Sequence, residues 1–339
     1  MSGDTVSADT HVSRSVLFKA LSTYQDPDLW KAVWQLVNTV IPYVALWIAM
    51  VILLNRGTSY WLVLPLILVA SALLVRIFIF FHDCCHGSFF ASRRANRILG
   101  YVTGILTFTP YDNWKHSHAR HHATAGDLDR RGEGDVWMMT VEEYQRALPL
   151  KRLAYRFYRT PIVTFGLGPA YMFLISHRFA SKGATKRERV SVVITNLAIA
   201  AIIAVAGFTI GLRTYVLIQL PVILIAGMMG VWLFYVQHQF EGVYWARHES
   251  WDPMRAAMEG SSYYKLPKVL QWVTGNIGFH HIHHIRSRIP NYHLQDAYEA
   301  VPHLQSVEPV TIRRSLKSLR MNLYDEERKR MVSFRSLSA

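Results

Sequence analysis

Four long, predominantly apolar runs, at 36–54, 60–80, 190–208 and 215–235, constrain this chain more than any other feature of its sequence. Each is close to the roughly 20 residues a helix needs to cross about 30 Å of hydrocarbon. A backbone surrounded by lipid must satisfy its own polar groups, which long continuous apolar runs do as helices. The runs come in pairs joined by short links, 55–59 and 209–214, so each pair predicts a helical hairpin that crosses and returns. The N-terminus, the long middle stretch and the C-terminal third then lie on one side.

Charge says which side. Of 37 Lys and Arg, the two links hold only Arg56 and Arg213, while the stretch 81–189 holds seventeen. The positive-inside bias therefore turns the three large polar pieces toward the cytoplasm. A net charge of +14 that follows the membrane segments reads as contact with anionic headgroups, and with no binding motif it argues against nucleic acid. Arg76 falls inside the second run, near its cytoplasmic end, and is expected to snorkel toward the interface. The two cysteines, Cys84 and Cys85, are adjacent and imply no disulfide framework. Asp4, Asp9 and scattered Ser and Thr without an apolar core give no secretory signal in the first 35 residues.

Between the spans, 98–108 is too short to cross and is expected to dip into the interface or pack against them. The stretch 141–159 has basic residues at helical spacing among Leu, Tyr and Phe and reads as a helix on the membrane surface. The apolar run 161–175, with two glycines and two prolines, reads as interfacial or re-entrant. No linker divides the chain. The predicted fold is all-α and integral to the membrane: one domain over 1–339, with four transmembrane helices in two hairpins and a cytoplasmic His-rich cap at 81–189 and 236–339.

Of 16 histidines, three clusters have informative spacing. His82-Asp-Cys-Cys-His86 places two imidazoles at i and i+4, on one face of a helix. His118-Ala-Arg-His121-His122 and His280-His-Ile-His283-His284 both give i, i+3, i+4. Crowded imidazoles repel when protonated, whereas metal ions require them neutral and offset the crowding. So many nitrogens exceed what one ion can use, so two are implied. Imidazole suits Zn, Cu, Fe and Ni alike. The surroundings choose among them: there is no His-Glu-x-x-His base, and an alkyl chain offers nothing to hydrolyse. Removing hydrogen from such a chain with O₂ calls for redox iron.

These boxes resemble the membrane fatty acid desaturase superfamily, and most nearly its acyl-lipid type. The residues that carry the resemblance are His82-Asp-Cys-Cys-His-Gly-Ser-Phe89, Trp114-Lys-His-Ser-His-Ala-Arg-His-His122, Phe234-Tyr-Val-Gln-His-Gln239, and Gly275-Asn-Ile-Gly-Phe-His-His-Ile-His-His284 with Arg288-Ile-Pro-Asn-Tyr292. The resemblance runs from His82 to about Tyr298, and Cys85 stands where many relatives carry glycine. It implies that two Fe ions (Fe²⁺/Fe³⁺) are held by His82, His86, His118, His121, His122, His280, His283 and His284, with His238 as a ninth. His116 and His281 fall between the implied ligand positions.

The same resemblance implies an O₂-dependent desaturase that puts a cis double bond into an acyl lipid, with a Δ12-type position preferred over Δ5 or Δ9. A separate ferredoxin or cytochrome b5 would supply electrons, docking on cations such as Lys265, Lys268, Arg286 and Arg288. Asp83, Asp127, Asp129, Asp135 and Asp252 are candidates to receive the second N–H of a ligating imidazole. Asn276 is a candidate for a metal-bound water, and Trp114, Trp137, Trp245 and Trp251 for the acyl tunnel or the membrane interface. A hydroxylase or ketolase on the same scaffold is the nearest alternative. A metal transporter is a further one, disfavoured because the spans carry no clustered His, Asp or Glu.

Overall fold

The computed structural model describes residues 14–132 and 134–337. Asp4 and Asp9, and with them the beginning of the stretch read for a secretory signal, lie outside the described residues. A short helix α1 (Arg14–Ser22) leads into α2 (Leu29–Asn55), which Asp28 caps by accepting the Lys31 N–H at 2.9 Å. A tight link returns the chain as α3 (Tyr60–His86), which stops at Gly87, where φ is +68°. Then follow α4 (Arg93–Leu106), α5 (Tyr111–Thr124), α6 (Val141–Arg146), α7 (Pro149–Tyr158) and α8 (Gly168–Leu174). The second hairpin is α9 (Lys186–Thr209) and α10 (Leu212–His238), and a Thr185/Glu188 capping box opens it. The rest of the cap holds α11 (Pro253–Met258), α12 (Lys268–Val273), α13 (His280–Ile285), α14 (Leu294–Ala300) and α15 (Ile312–Ser315).

Four helices, α2, α3, α9 and α10, are long and apolar enough to cross a membrane. The core shared by α2, α3 and α10 joins Met50, Ile67, Leu74 and Ile77 to Ile218 and Val222, while Trp61 and Phe208 point outward, as side chains in lipid do. The turns of the two hairpins meet, with Thr214 Oγ1 donating to Asn55 Oδ1 at 2.9 Å and Tyr60 to the Leu217 carbonyl at 2.9 Å. The returning limbs α3 and α10 therefore deliver their C-terminal histidines to the same end of the bundle. Both helices run past the apolar limits at 80 and 235, so His82, His86 and His238 ride on the last turns of spanning helices.

Arg76 corrects one expectation. It does not snorkel: it is 2 % exposed, its Nε donates to Thr39 Oγ1 at 3.0 Å, an Nη donates to the Trp272 carbonyl, and it lies 4.2 Å from the Trp272 ring centroid. The cap helix α12 covers α3 at this level, so protein rather than water solvates the guanidinium. The surface helix expected over 141–159 is two helices, because Ala147 and Leu148 are extended ahead of Pro149. Its second piece exposes Leu150, Leu153 and Phe157 along one face. The run 161–175 is a π-helical segment (Ile162–Leu167) followed by α8, neither long enough to cross, and Phe173 and Pro169 lie against Gly227 of α10.

The cap also contains five short strands: β1 (Met139–Thr140), β2 (Tyr263–Lys265), β3 (Pro309–Thr311), β4 (Leu323–Asp325) and β5 (Arg330–Val332). β4 lies between β1, to which it is parallel, and β5, to which it is antiparallel; β2 pairs with β3 in parallel. Strands of two or three residues leave no period-2 pattern long enough to read in sequence.

Candidate metal centre

Three box helices and the end of α10 converge above the membrane layer. The i, i+3, i+4 spacing acts as a splitter rather than as a single claw. At about 100° per residue, His118 and His122 lie within 40° of each other, and His121 falls on the other side of His118. His82, His86, His118, His122 and His283 accordingly form one group, and His121, His238, His280 and His284 form another. Within each group one nitrogen per ring lies within 4.8 Å of the others, a set that could hold a metal ion. Both α5 and α13 contribute to both groups. Division into five and four is the arrangement expected for two ions.

The nitrogens meet in a way that suits a bound cation. His121 Nδ1 lies 2.8 Å from Asp135 Oδ1, and His238 Nδ1 lies 3.2 Å from the Gly260 carbonyl, so both rings carry their proton on Nδ1. Their Nε2 atoms face each other at 3.1 Å. Nε2 meets Nε2 again at 3.1 Å between His118 and His122, 3.0 Å between His122 and His283, 3.0 Å between His238 and His280, and 3.1 Å between His280 and His284. Burial, and then the neighbouring imidazoles, hold His118, His122, His280, His283 and His284 well below the usual histidine range, so protons do not relieve the crowding. Neutral imidazoles with converging lone pairs fit borderline transition metals.

Carboxylates set the rings. Asp135 holds His121, and although burial pushes its carboxyl up, its hydrogen bonds, first that to His121, outweigh this and keep it below the usual range. Asp83 Oδ1 lies 3.1 Å from His82 Nδ1. The other acidic candidates serve elsewhere: Asp127 bonds His248, Asp129 bonds Arg247, and Asp252 caps α11. Asn276 uses both ends of its amide, accepting from Gln271 and donating to the Asn291 carbonyl. His116 pairs with Glu188 and His281 reaches the Leu304 carbonyl, both outside the two groups.

Residues 58–313 match the family model described as fatty acid desaturase. A Bacillus subtilis protein named fatty acid desaturase is 50 % identical over 321 residues, covering 95 % of this chain and 91 % of its own. This chain belongs to the fatty acid desaturase family. More distant relatives include a Synechocystis protein named sn-1 acyl-lipid omega-3 desaturase (ferredoxin), 27 % identical over 71 % of this chain and 68 % of its own. An Arabidopsis thaliana protein named sn-2 acyl-lipid omega-3 desaturase (ferredoxin), chloroplastic, is 28 % identical over 77 % of this chain and 60 % of its own.

In this member of the family three aromatic rings lie one helical turn N-terminal to a histidine of the centre. Trp114 stacks on His118 with centroids 4.2 Å apart, Phe78 meets Trp114 at 5.5 Å, and Phe234 lies 5.1 Å from His121 and 5.2 Å from His238. Trp114 was among the tryptophans singled out from sequence; Phe78 and Phe234 were not. The signal for them is an aromatic at i−4 from His82, His118 and His238, which on a helix means directly beneath. Trp137 packs with Tyr155 and Tyr158, and Trp245 lies in a separate core. Trp251 lines a cavity of about 180 Å³ that reaches His122 and His284 and is bounded by Arg14, Phe18 and Met254.

Proposed function

We propose that this chain is an O₂-dependent acyl-lipid desaturase that forms a cis double bond at a di-iron site. His82, His86, His118, His122 and His283 would hold one iron, and His121, His238, His280 and His284 the other. The observation that carries the reading is the meeting of bare Nε2 atoms in groups of five and four. When bound, the iron pair supplies the chemistry: O₂ takes two hydrogens from adjacent methylenes, with two electrons and two protons from outside, and leaves as two waters.

The chain's own part is to gather and aim nine imidazoles. Asp135, Asp83 and the Gly260 carbonyl fix three of the rings through their Nδ1 atoms. Phe78, Trp114 and Phe234 would present an apolar wall to an alkyl chain brought to the centre and keep water from it. Holding one C–C bond of that chain against the centre is what selects the bond to be oxidised.

Electrons would come from a separate ferredoxin or cytochrome b5, and the ferredoxin in the relatives' names favours the former. The cavity at His122 and His284 offers the short approach, and Arg14 and Arg286 flank Phe18 beside it at 4.9 and 4.1 Å. The charge asymmetry along the sequence supports a cytoplasmic position for this face.

Expression in a host lacking the product, followed by mass spectrometry of dimethyl-disulfide adducts of its fatty acids, tests the reading. A new double bond is expected, at the Δ12-type position that the box resemblance implies. A bond at another carbon replaces the position and keeps the desaturase, a new hydroxyl or keto group substitutes the sister chemistry, and unchanged lipids overturn both.

A further inference from the structure

His82 and Asp83 are consecutive on a helix, and consecutive side chains point about 100° apart and do not face each other. Their bond, 3.1 Å from His82 Nδ1 to Asp83 Oδ1, is therefore not a product of helical geometry. Something must hold the carboxylate across. Asn291 does so: its backbone N–H and its Nδ2 both donate to Asp83 Oδ2, at 2.7 and 2.9 Å, which leaves Oδ1 for the histidine.

We propose that Asn291 is a positioning residue for the metal group containing His82, acting through the Asp83 carboxylate. This rests on the reading of His82 as a metal ligand. Asn291 is fully buried, and each of its polar groups is spent on this joint. Its Oδ1 accepts from Gln35 Nε2 of α2 at 2.9 Å, and its carbonyl accepts from Asn276 Nδ2 at 3.1 Å. The side chain must donate to a carboxylate and accept from an amide at once. Aspartate would set carboxylate against carboxylate, and leucine of like shape would offer neither. The next residue closes the same joint: Tyr292 donates to the Phe89 carbonyl at 3.0 Å and accepts the Asp28 N–H at 3.1 Å. Two consecutive residues after the third box thus fasten α2, the end of α3 and the turn following the first box. The orientation of the His82 ring depends on all three.

The other group has separate supports. His121 is held by Asp135 and His238 by the Gly260 carbonyl, and none of these bonds involves Asn291. The consequence is selective: loss of Asn291 loosens one ion and spares the other. A residue that merely stabilised the fold would affect both alike.

The test is Co(II) titration of the full-length, metal-free protein in detergent, following the visible absorption of the bound ion. Wild type is expected to take up two ions. Asn291→Leu is expected to weaken one of them about 10- to 100-fold, the usual effect of removing a hydrogen-bonded support of a ligand, and to leave the other unchanged. Asp135→Asn should weaken the opposite ion. If Asn291→Leu fails to fold, Gln35→Leu removes only the outer tether and should give a smaller loss at the same ion. Equal weakening of both ions, or of neither, overturns the assignment. A wild-type protein that binds no Co(II) overturns the metal reading itself, and the assignment with it.

Discussion

His121 shows how much one helical position decides. Had the second box been His118 and His122 alone, α5 would serve one group of nitrogens; the ring at i+3 turns to the other and makes α5 a wall shared between them. His121→Ala is expected to abolish the fatty acid product while the protein remains in the membrane, as checked by lipid analysis beside immunoblotting of the membrane fraction. Asp135→Asn keeps the shape and removes the charge that orients His121, so metal affinity or activity should fall about 10- to 100-fold. Asp127→Asn is the contrast. Asp127 is as buried as a carboxylate can be, at 1 % exposed, but its partner His248 belongs to neither group, and metal content measured by mass spectrometry should be unchanged.

At the level of elements, the joint between the cap and α3 governs the third box. Gly275 has φ of +53°, and a Cβ there would come within 2.8 Å of Ile79 Cγ2. Asn276 follows at φ of +57°, so two successive left-handed residues turn the chain immediately before α13. Gly275→Ala is expected to cost roughly 1 to 3 kcal/mol from backbone strain, with crowding of Ile79 in addition. Thermal unfolding in detergent reads the loss, and iron content should fall with it because the third box starts five residues on. Arg76 belongs to the same joint. Its bonds to Thr39 of α2 and to the Trp272 carbonyl of α12 tie spanning helices to cap at a level where no water competes.

For the whole molecule, the two hairpins fix sidedness before any chemistry is considered. Both links lie at one end of the bundle and both His-bearing helix ends at the other. Arg56→Cys and Arg328→Cys, introduced singly, should be labelled by a membrane-impermeant maleimide from opposite faces of oriented vesicles. Background should be low, since Cys84 and Cys85 are both buried. Labelling of both positions from the same face would place the first link with the cap and dismantle the proposed topology.

The sequence by itself determined the four spans, their pairing and the histidine boxes, because hydrophobic length and helical spacing are local properties that survive any tertiary arrangement. It could also name Asp83 and Asp135 as candidates, but not separate them from Asp127, Asp129 and Asp252, which have the same local credentials. Only the tertiary structure decided which carboxylate meets which ring, that Arg76 is covered by α12, that Phe78 and Phe234 lie beneath the centre, and that Asn291 reaches Asp83 across 208 positions of chain. Contacts of that kind depend on how helices dock. Docking is set by the summed shape of many side chains, which no single stretch of sequence contains.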